Sequence, residues 1–173
     1  MPETQKTMIP QAEFREAMSR LGAAVHVITS AGPAGECGVT ASAVCSVTDD
    51  PPTVLVCLNR ASETNQVLKA NGVFCVNTLT AAQETLSDCF AGFTGETMVQ
   101  RFGRAKWDRL VTGAPILRGA LVSLDCTIAS VTEVGTHSVM FGEIVAARFG
   151  EEQPALMYFK RRYKALHGDH PAG

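Results

Sequence analysis

The sequence lacks the basic excess of a dedicated nucleic-acid binder: 15 Lys and Arg stand against 17 Asp and Glu, a net charge of −2. No apolar run approaches the roughly 18 residues that a membrane-spanning helix needs. The segment from Met1 to Phe14 is polar, without the apolar core of a signal peptide. No GxGxxG follows a strand and no GxxxxGK occurs, which argues against a Rossmann site and a P-loop. HExxH and GxSxG are missing too, which argues against zinc peptidase and α/β-hydrolase chemistry. The six cysteines, at 37, 45, 57, 75, 89 and 126, form no CxxC pair, and most lie in apolar runs. They are expected to be reduced core residues of a cytoplasmic protein rather than zinc ligands. No metal, nucleic-acid or membrane partner is expected.

What is present is the material of one folded unit. Of the 173 residues, 46% are hydrophobic and 18% charged, enough for a sizeable core. No internal repeat or long linker divides the chain. Residues 1–9 and 168–173 are expected to be tails around a domain at 10–167. Apolar residues recur at helical spacing from Pro10 to Leu21. Strands are expected over 24–29, 39–47, 53–58 and 73–79, with a turn at 32–38. A helix is expected over 62–70, with Ser62 as N-cap and Asn71-Gly72 at its end. A capping box at Thr80-Ala81-Ala82-Gln83 opens another helix reaching Phe90. Residues 91–119 read as irregular, with one helical turn. Two long strands follow, 120–134 and 137–149, joined at Gly135-Thr136, and a last strand covers 155–159. Six or seven strands follow one another without regular helical crossovers. The pattern is therefore mainly β with some α, an antiparallel barrel with peripheral helices rather than a doubly wound sheet.

Four segments could carry chemistry. From Gly38 to Val47 the side chains are mostly small, so a flat ligand could reach backbone N–H and C=O groups. The same residues could equally be a tightly packed barrel strand. Between Asn59 and Asn65 a strand gives way to a helix, whose free N–H groups attract anions; Arg60, Ser62, Thr64 and Asn65 add donors or charge. An ordinary capped helix would look the same. His137, beside the glycine turn at Gly135-Thr136, could meet a ligand or be a solvated turn residue. Tyr158 to Lys164 is the one dense basic run, suited to contact with an anionic cofactor or to a solvated strand end.

The string from Gly38 to Pro52 resembles the flavin reductase-like family. So do Val56-Cys57-Leu58-Asn59 with Ser62, Phe74-Cys75-Val76-Asn77-Thr78-Leu79, Gly135-Thr136-His137, and the run from Tyr158 to Tyr163. The resemblance covers residues 11 to 166 and is strongest to reductase components of two-component flavin-dependent monooxygenases. It implies an FMN-binding, Greek-key split β-barrel, a homodimer that uses NADH or NADPH to reduce FMN or FAD. The diffusible reduced flavin would pass to a separate oxygenase component. A non-catalytic flavin sensor or carrier on the same barrel is the alternative. By resemblance, Gly38, Val39, Thr40, Ala41, Ser42 and Ala43, with Cys57, Leu58 and Asn59, line the isoalloxazine and ribityl chain. Ser62, Thr64 and Asn65 meet the flavin phosphate. Gly135, Thr136 and His137 lie by the nicotinamide, with His137 the catalytic candidate, and Arg161 or Tyr163 closes the site.

Overall fold

A computed structural model describes residues 8–168. The expected tails at 1–9 and 168–173 lie almost wholly outside the described residues. Helix α1 (Gln11–Ser19) is followed by β1 (Ala23–Ala24), β2 (His26–Gly32), β3 (Gly35–Ala41), β4 (Val44–Asp49) and β5 (Pro52–Asn59). Then come α2 (Glu63–Asn71), β6 (Val73–Thr78), a 3-10 turn at Ala81–Gln83, α3 (Glu84–Phe90) and α4 (Met98–Phe102). The chain continues through β7 (Trp107–Asp108), β8 (Ile116–Leu117), β9 (Val122–Val134), β10 (His137–Phe149), β11 (Ala155–Phe159) and β12 (Arg162–Leu166).

Seven strands form one antiparallel sheet in the order β3-β2-β6-β9-β10-β5-β4. The sheet's two end strands, β3 and β4, are consecutive in the chain. They join at Ser42-Ala43, where Val44 N–H donates to Ser42 O (3.0 Å) and Cys57 N–H to Ala43 O (3.0 Å). The sheet thus curls until its ends meet through a covalent link rather than a hydrogen-bonded ladder, which makes the barrel split. This corrects the single strand expected over 39–47. A run of small residues carries no mark of a change of neighbour, and here the chain leaves the β2 side for the β5 side at Ser42-Ala43.

The alternating apolar positions of β2, β5, β6 and β10 bury Ile28, Val56, Leu58, Phe74, Val76 and Met140 in one core, which Leu68 of α2 covers. A second core under α3 and α4 packs Phe90 edge-on against Phe102 (5.2 Å between ring centres) and Trp107 (5.7 Å). Helix α2 ends at Gly72 with φ +71°, the left-handed turn that glycine adopts without strain. At the expected capping box, Gln83 Oε1 accepts from Thr80 N–H (3.0 Å), and the first turn is 3-10 before α3 proper.

Two elements differ from the sequence reading. The stretch 91–119 holds the expected helical turn as α4, and beyond it the short β7–β8 pair, which the sequence reading lacks. The basic run is a β11–β12 hairpin that turns on Lys160 (φ 48°) and Arg161 (φ 60°). A turn built from Lys and Arg instead of Gly or Asn gives no turn signal, so nothing in the sequence marks the start of β12. Among the described residues no helix is long and apolar enough to cross a membrane.

Candidate functional site

The seam between the sheet's ends opens into a cavity of about 250 Å³. Val39, Thr40, Ala41, Ser42 and Ala43 line it from one side, and Cys57, Leu58, Asn59, Ser62 and His137 from the other. Strand β5 delivers Cys57 to Asn59, and the register His137↔Asn59 places the start of β10 directly beside its end. Two segments 78 residues apart in sequence, counted from Asn59 to His137, therefore meet through sheet pairing. The side chains at 41–43 are small, so a planar ring can reach the backbone edge.

Asn59 Oδ1 accepts from Ala61 N–H (2.9 Å), shaping the tight entry into α2. Ser62 is the N-cap by position, yet its hydroxyl makes no capping hydrogen bond. The amides of Glu63 and Thr64, the first two of this nine-residue helix, have no intrahelical partners, while Asn65 N–H donates to Ser62 O (3.1 Å). A free hydroxyl and orphan N–H groups at the positive end of a helix dipole suit a phosphate. His137 is exposed, and its Nδ1 lies 2.9 Å from Thr136 Oγ1, which leaves Nε2 for a ligand. Burial holds the Cys57 thiol above its usual range, so it meets the cavity as a neutral group.

Two further spaces adjoin this one. Gly135 and Thr136 line a cleft of about 500 Å³ with Asn59, Arg60, Gln66 and Lys69. Tyr163 lines a third cavity, about 160 Å³, with Tyr158, Phe93, Ala91, Val25 and the same Thr40, Ala41 and Ser42. Tyr163 Oη bonds Ser87 (2.8 Å) and Asp88 (3.1 Å), while Thr40 Oγ1 donates to Ser87 O (2.6 Å). Helix α3 thereby ties the basic hairpin to the cavity strand.

Other expected site residues stand elsewhere. Gly38 is buried, and a Cβ there would come within 2.6 Å of the Phe90 ring; its smallness serves the contact of β3 with α3. Asn65 is fully buried: its Nδ2 donates to Leu58 O (3.2 Å) and its Oδ1 accepts from Ser138 Oγ (3.4 Å). Thr64 is buried as well. Arg161 pairs with Glu16 of α1 at 3.0 Å and lines none of the three cavities. For Thr64 and Asn65 the cause is common: sequence marks donor types near a helix start, but not which turn of the helix faces the sheet.

Sequence reasoning missed Phe93, which is 77% exposed on the loop after α3. Glu96 clamps that loop by accepting from Arg104 (2.6 Å), Thr94 (2.8 Å) and Cys89 (3.1 Å). These hydrogen bonds, that from Arg104 above all, hold the Glu96 carboxyl down to about 2. A lone aromatic between Gly92 and Gly95 has no periodicity to flag it.

Opposite Ala41 across the β2–β3 pair, His26 is buried with its Nδ1 3.0 Å from Thr78 Oγ1. Burial lowers it from 6.5 to about 4. The unfolded chain takes up this proton first, so the contribution to stability is complete above the unfolded value and is lost as pH falls from there through the folded one. Wild-type unfolding free energy should drop about 2 kcal/mol more than that of His26→Gln between neutral pH and about pH 5. Urea titrations of both proteins check this, and parallel pH profiles would remove His26 as the cause.

Among the described residues no three His, Cys, Asp or Glu side chains come together as a metal site. The flavin reductase like domain family matches residues 18–167. The chain is 52% identical over 167 residues to an FMN reductase (NADH) RutF of Pantoea ananatis, covering 96% of this chain and 87% of the relative. BorF, the flavin reductase component of a bacterial two-component tryptophan halogenase, superposes with TM-score 0.85 at 28% identity over 92% of this chain and all of its own. A Streptomyces globisporus NADH:FAD oxidoreductase, SgcE6, solved with NAD and FAD fragments, gives TM-score 0.84 at 27% identity, covering 95% and 99%.

Proposed function

This chain belongs to the family of flavin reductase-like domains, and from that premise we propose that it is an NAD(P)H:flavin oxidoreductase. It reduces FMN or FAD with NADH or NADPH and supplies diffusible reduced flavin to a separate oxygenase. The carrying observation is the seam cavity, where a strand of small residues faces an uncapped helix start and an exposed histidine.

The residues present fit a flavin mononucleotide. The edge at 40–43 gives backbone donors and acceptors to a heterocycle, and Ser62 with the first amides of α2 gives a phosphate site. A flavin bound there would supply the hydride acceptor, and a nicotinamide beside His137 would supply the donor. The chain's part is positioning. Val39 and Leu58 give the cavity apolar walls that keep water from the ring face. His137, held by Thr136, orients the nicotinamide carboxamide and can exchange a proton at Nε2. Tyr163, fixed by Ser87 and Asp88, closes the side away from β5. Gly38, Thr64 and Asn65 serve by holding β3 and α2 in place.

We infer that the working unit is a homodimer of domains spanning 10–167. In support, α1 buries none of its residues, leaving Phe14 and Met18 exposed, with Leu21 exposed just beyond its end. Those positions share one face at helical spacing and suit a second copy. The six free cysteines support a reducing, cytoplasmic setting.

The test is consumption of NADH or NADPH by the purified chain with riboflavin, FMN or FAD added in turn. Turnover should rise with free flavin and saturate. In the same assay, His137→Ala should raise the apparent KM for NADH about tenfold and the flavin KM far less. Bound flavin without turnover would favour a carrier, and equal losses in both KM values would remove the assignment of His137.

A further inference from the structure

The seam cavity is smaller than the ~300–1,000 Å³ that bound cofactor-sized ligands occupy, so such a ligand must extend beyond it. The cleft of about 500 Å³ continues from it: both include Asn59, and Thr136 of the cleft is the chain neighbour of His137. Its cations are Arg60 and Lys69, and both meet one carboxylate, Glu133, Arg60 through Nε at 3.1 Å. Two positive groups against one negative leave the cleft net positive. Arg60 is also fixed in direction. Its N–H donates to Thr136 O (2.9 Å), its Nη1 to Gly135 O (3.3 Å), and Gln66 Nε2 donates to its carbonyl (3.2 Å). A guanidinium already oriented loses little entropy when an oxyanion arrives. Half its side-chain surface remains open.

We propose that the Arg60–Lys69 cleft is an anion subsite for the distal phosphate of a dinucleotide, the one beyond the phosphate held at Ser62. This rests on the flavin reductase reading above. A phosphate seated at the start of α2 lies at the junction of the two spaces, and the next phosphate along a pyrophosphate reaches toward Arg60. The same chemistry can come from FAD or from the nicotinamide dinucleotide, whose pyrophosphate follows its nicotinamide past Thr136.

Equilibrium calorimetry on the full chain decides it, with riboflavin, FMN, FAD and NAD+ as probes. R60Q/K69Q should weaken FAD, NAD+ or both about fivefold, with riboflavin changed less than about twofold. Loss confined to FAD assigns the subsite to the flavin dinucleotide, and loss confined to NAD+ assigns it to the nicotinamide dinucleotide. Glu133→Gln keeps the acceptor for Ser138 but frees the two cations, so it should tighten the affected dinucleotide about twofold. Equal weakening of all four probes, no change for both dinucleotides, or weaker binding in Glu133→Gln would overturn the proposal. A wild-type chain that binds no flavin would instead defeat the reductase reading, and the NAD+ titrations would still decide the subsite.

Discussion

Ser62→Asp should weaken FMN binding about 100-fold while riboflavin binds within about twofold of wild type. Asp is at least as good an N-cap as Ser, so α2 should keep its start and its contacts with the sheet. The new carboxylate then occupies the place where helix dipole, orphan amides and the Ser62 hydroxyl converge on an anion. It satisfies those donors itself and repels the phosphate dianion. Losing two or more charge-assisted hydrogen bonds and adding like-charge repulsion accounts for about 3 kcal/mol, or roughly two orders of magnitude. Riboflavin has no phosphate and reads only the ring and ribityl contacts at 39–43 and 57–59. Flavin fluorescence titration measures both constants. Parallel losses for the two flavins would move the phosphate away from α2.

The second large effect falls on stability. Asn77 is fully buried at the centre of the sheet, where β6 pairs with both β2 and β9. Its Nδ2 donates to Val27 O (3.1 Å) and Thr29 Oγ1 (3.1 Å), and its Oδ1 accepts from Leu117 N–H (2.8 Å) and Ser123 Oγ (2.8 Å). One side chain thus joins three strands of the large sheet and β8. Asn77→Leu keeps the volume but leaves several of these groups buried without partners, at about 1–3 kcal/mol each. A loss near 4 kcal/mol follows, a fall in Tm of about 10 °C for a chain of this size. Thermal denaturation followed by circular dichroism tests it; a fall below about 3 °C would show that water or neighbours replace Asn77. Strand β2 is the bed on which β3 lies, so the variant should also bind flavin more weakly.

Several features are legible in the sequence alone. The α2 boundaries follow from Ser62 and Asn71-Gly72, and the long β9–β10 hairpin from two apolar runs around Gly135-Thr136. The meeting of the 39–43 strand, Cys57 to Asn59, Ser62 and His137 was anticipated by resemblance, not by spacing. No periodicity reveals that residue 59 pairs with residue 137. The third cavity, with Phe93 and the Tyr158–Tyr163 pair, was only half visible, because its loop carries glycines and charges in no regular order.

The sequence by itself determined the local chemistry: a strand of small residues, a helix start rich in hydroxyls, a histidine beside a glycine turn, and too few basic groups for nucleic acid. These are properties of residue type and of neighbours within a few positions, and short-range sterics and hydrogen bonding set them. Only the tertiary structure decided which of those groups face the cavity. Gly38 turns to Phe90, Asn65 is committed to Leu58 and Ser138, and Arg161 to Glu16, while Ser62 and His137 remain open. Facing is settled by strand register and by the curl that brings β3 and β4 together. Both arise from packing between residues distant in the chain, which no local pattern encodes.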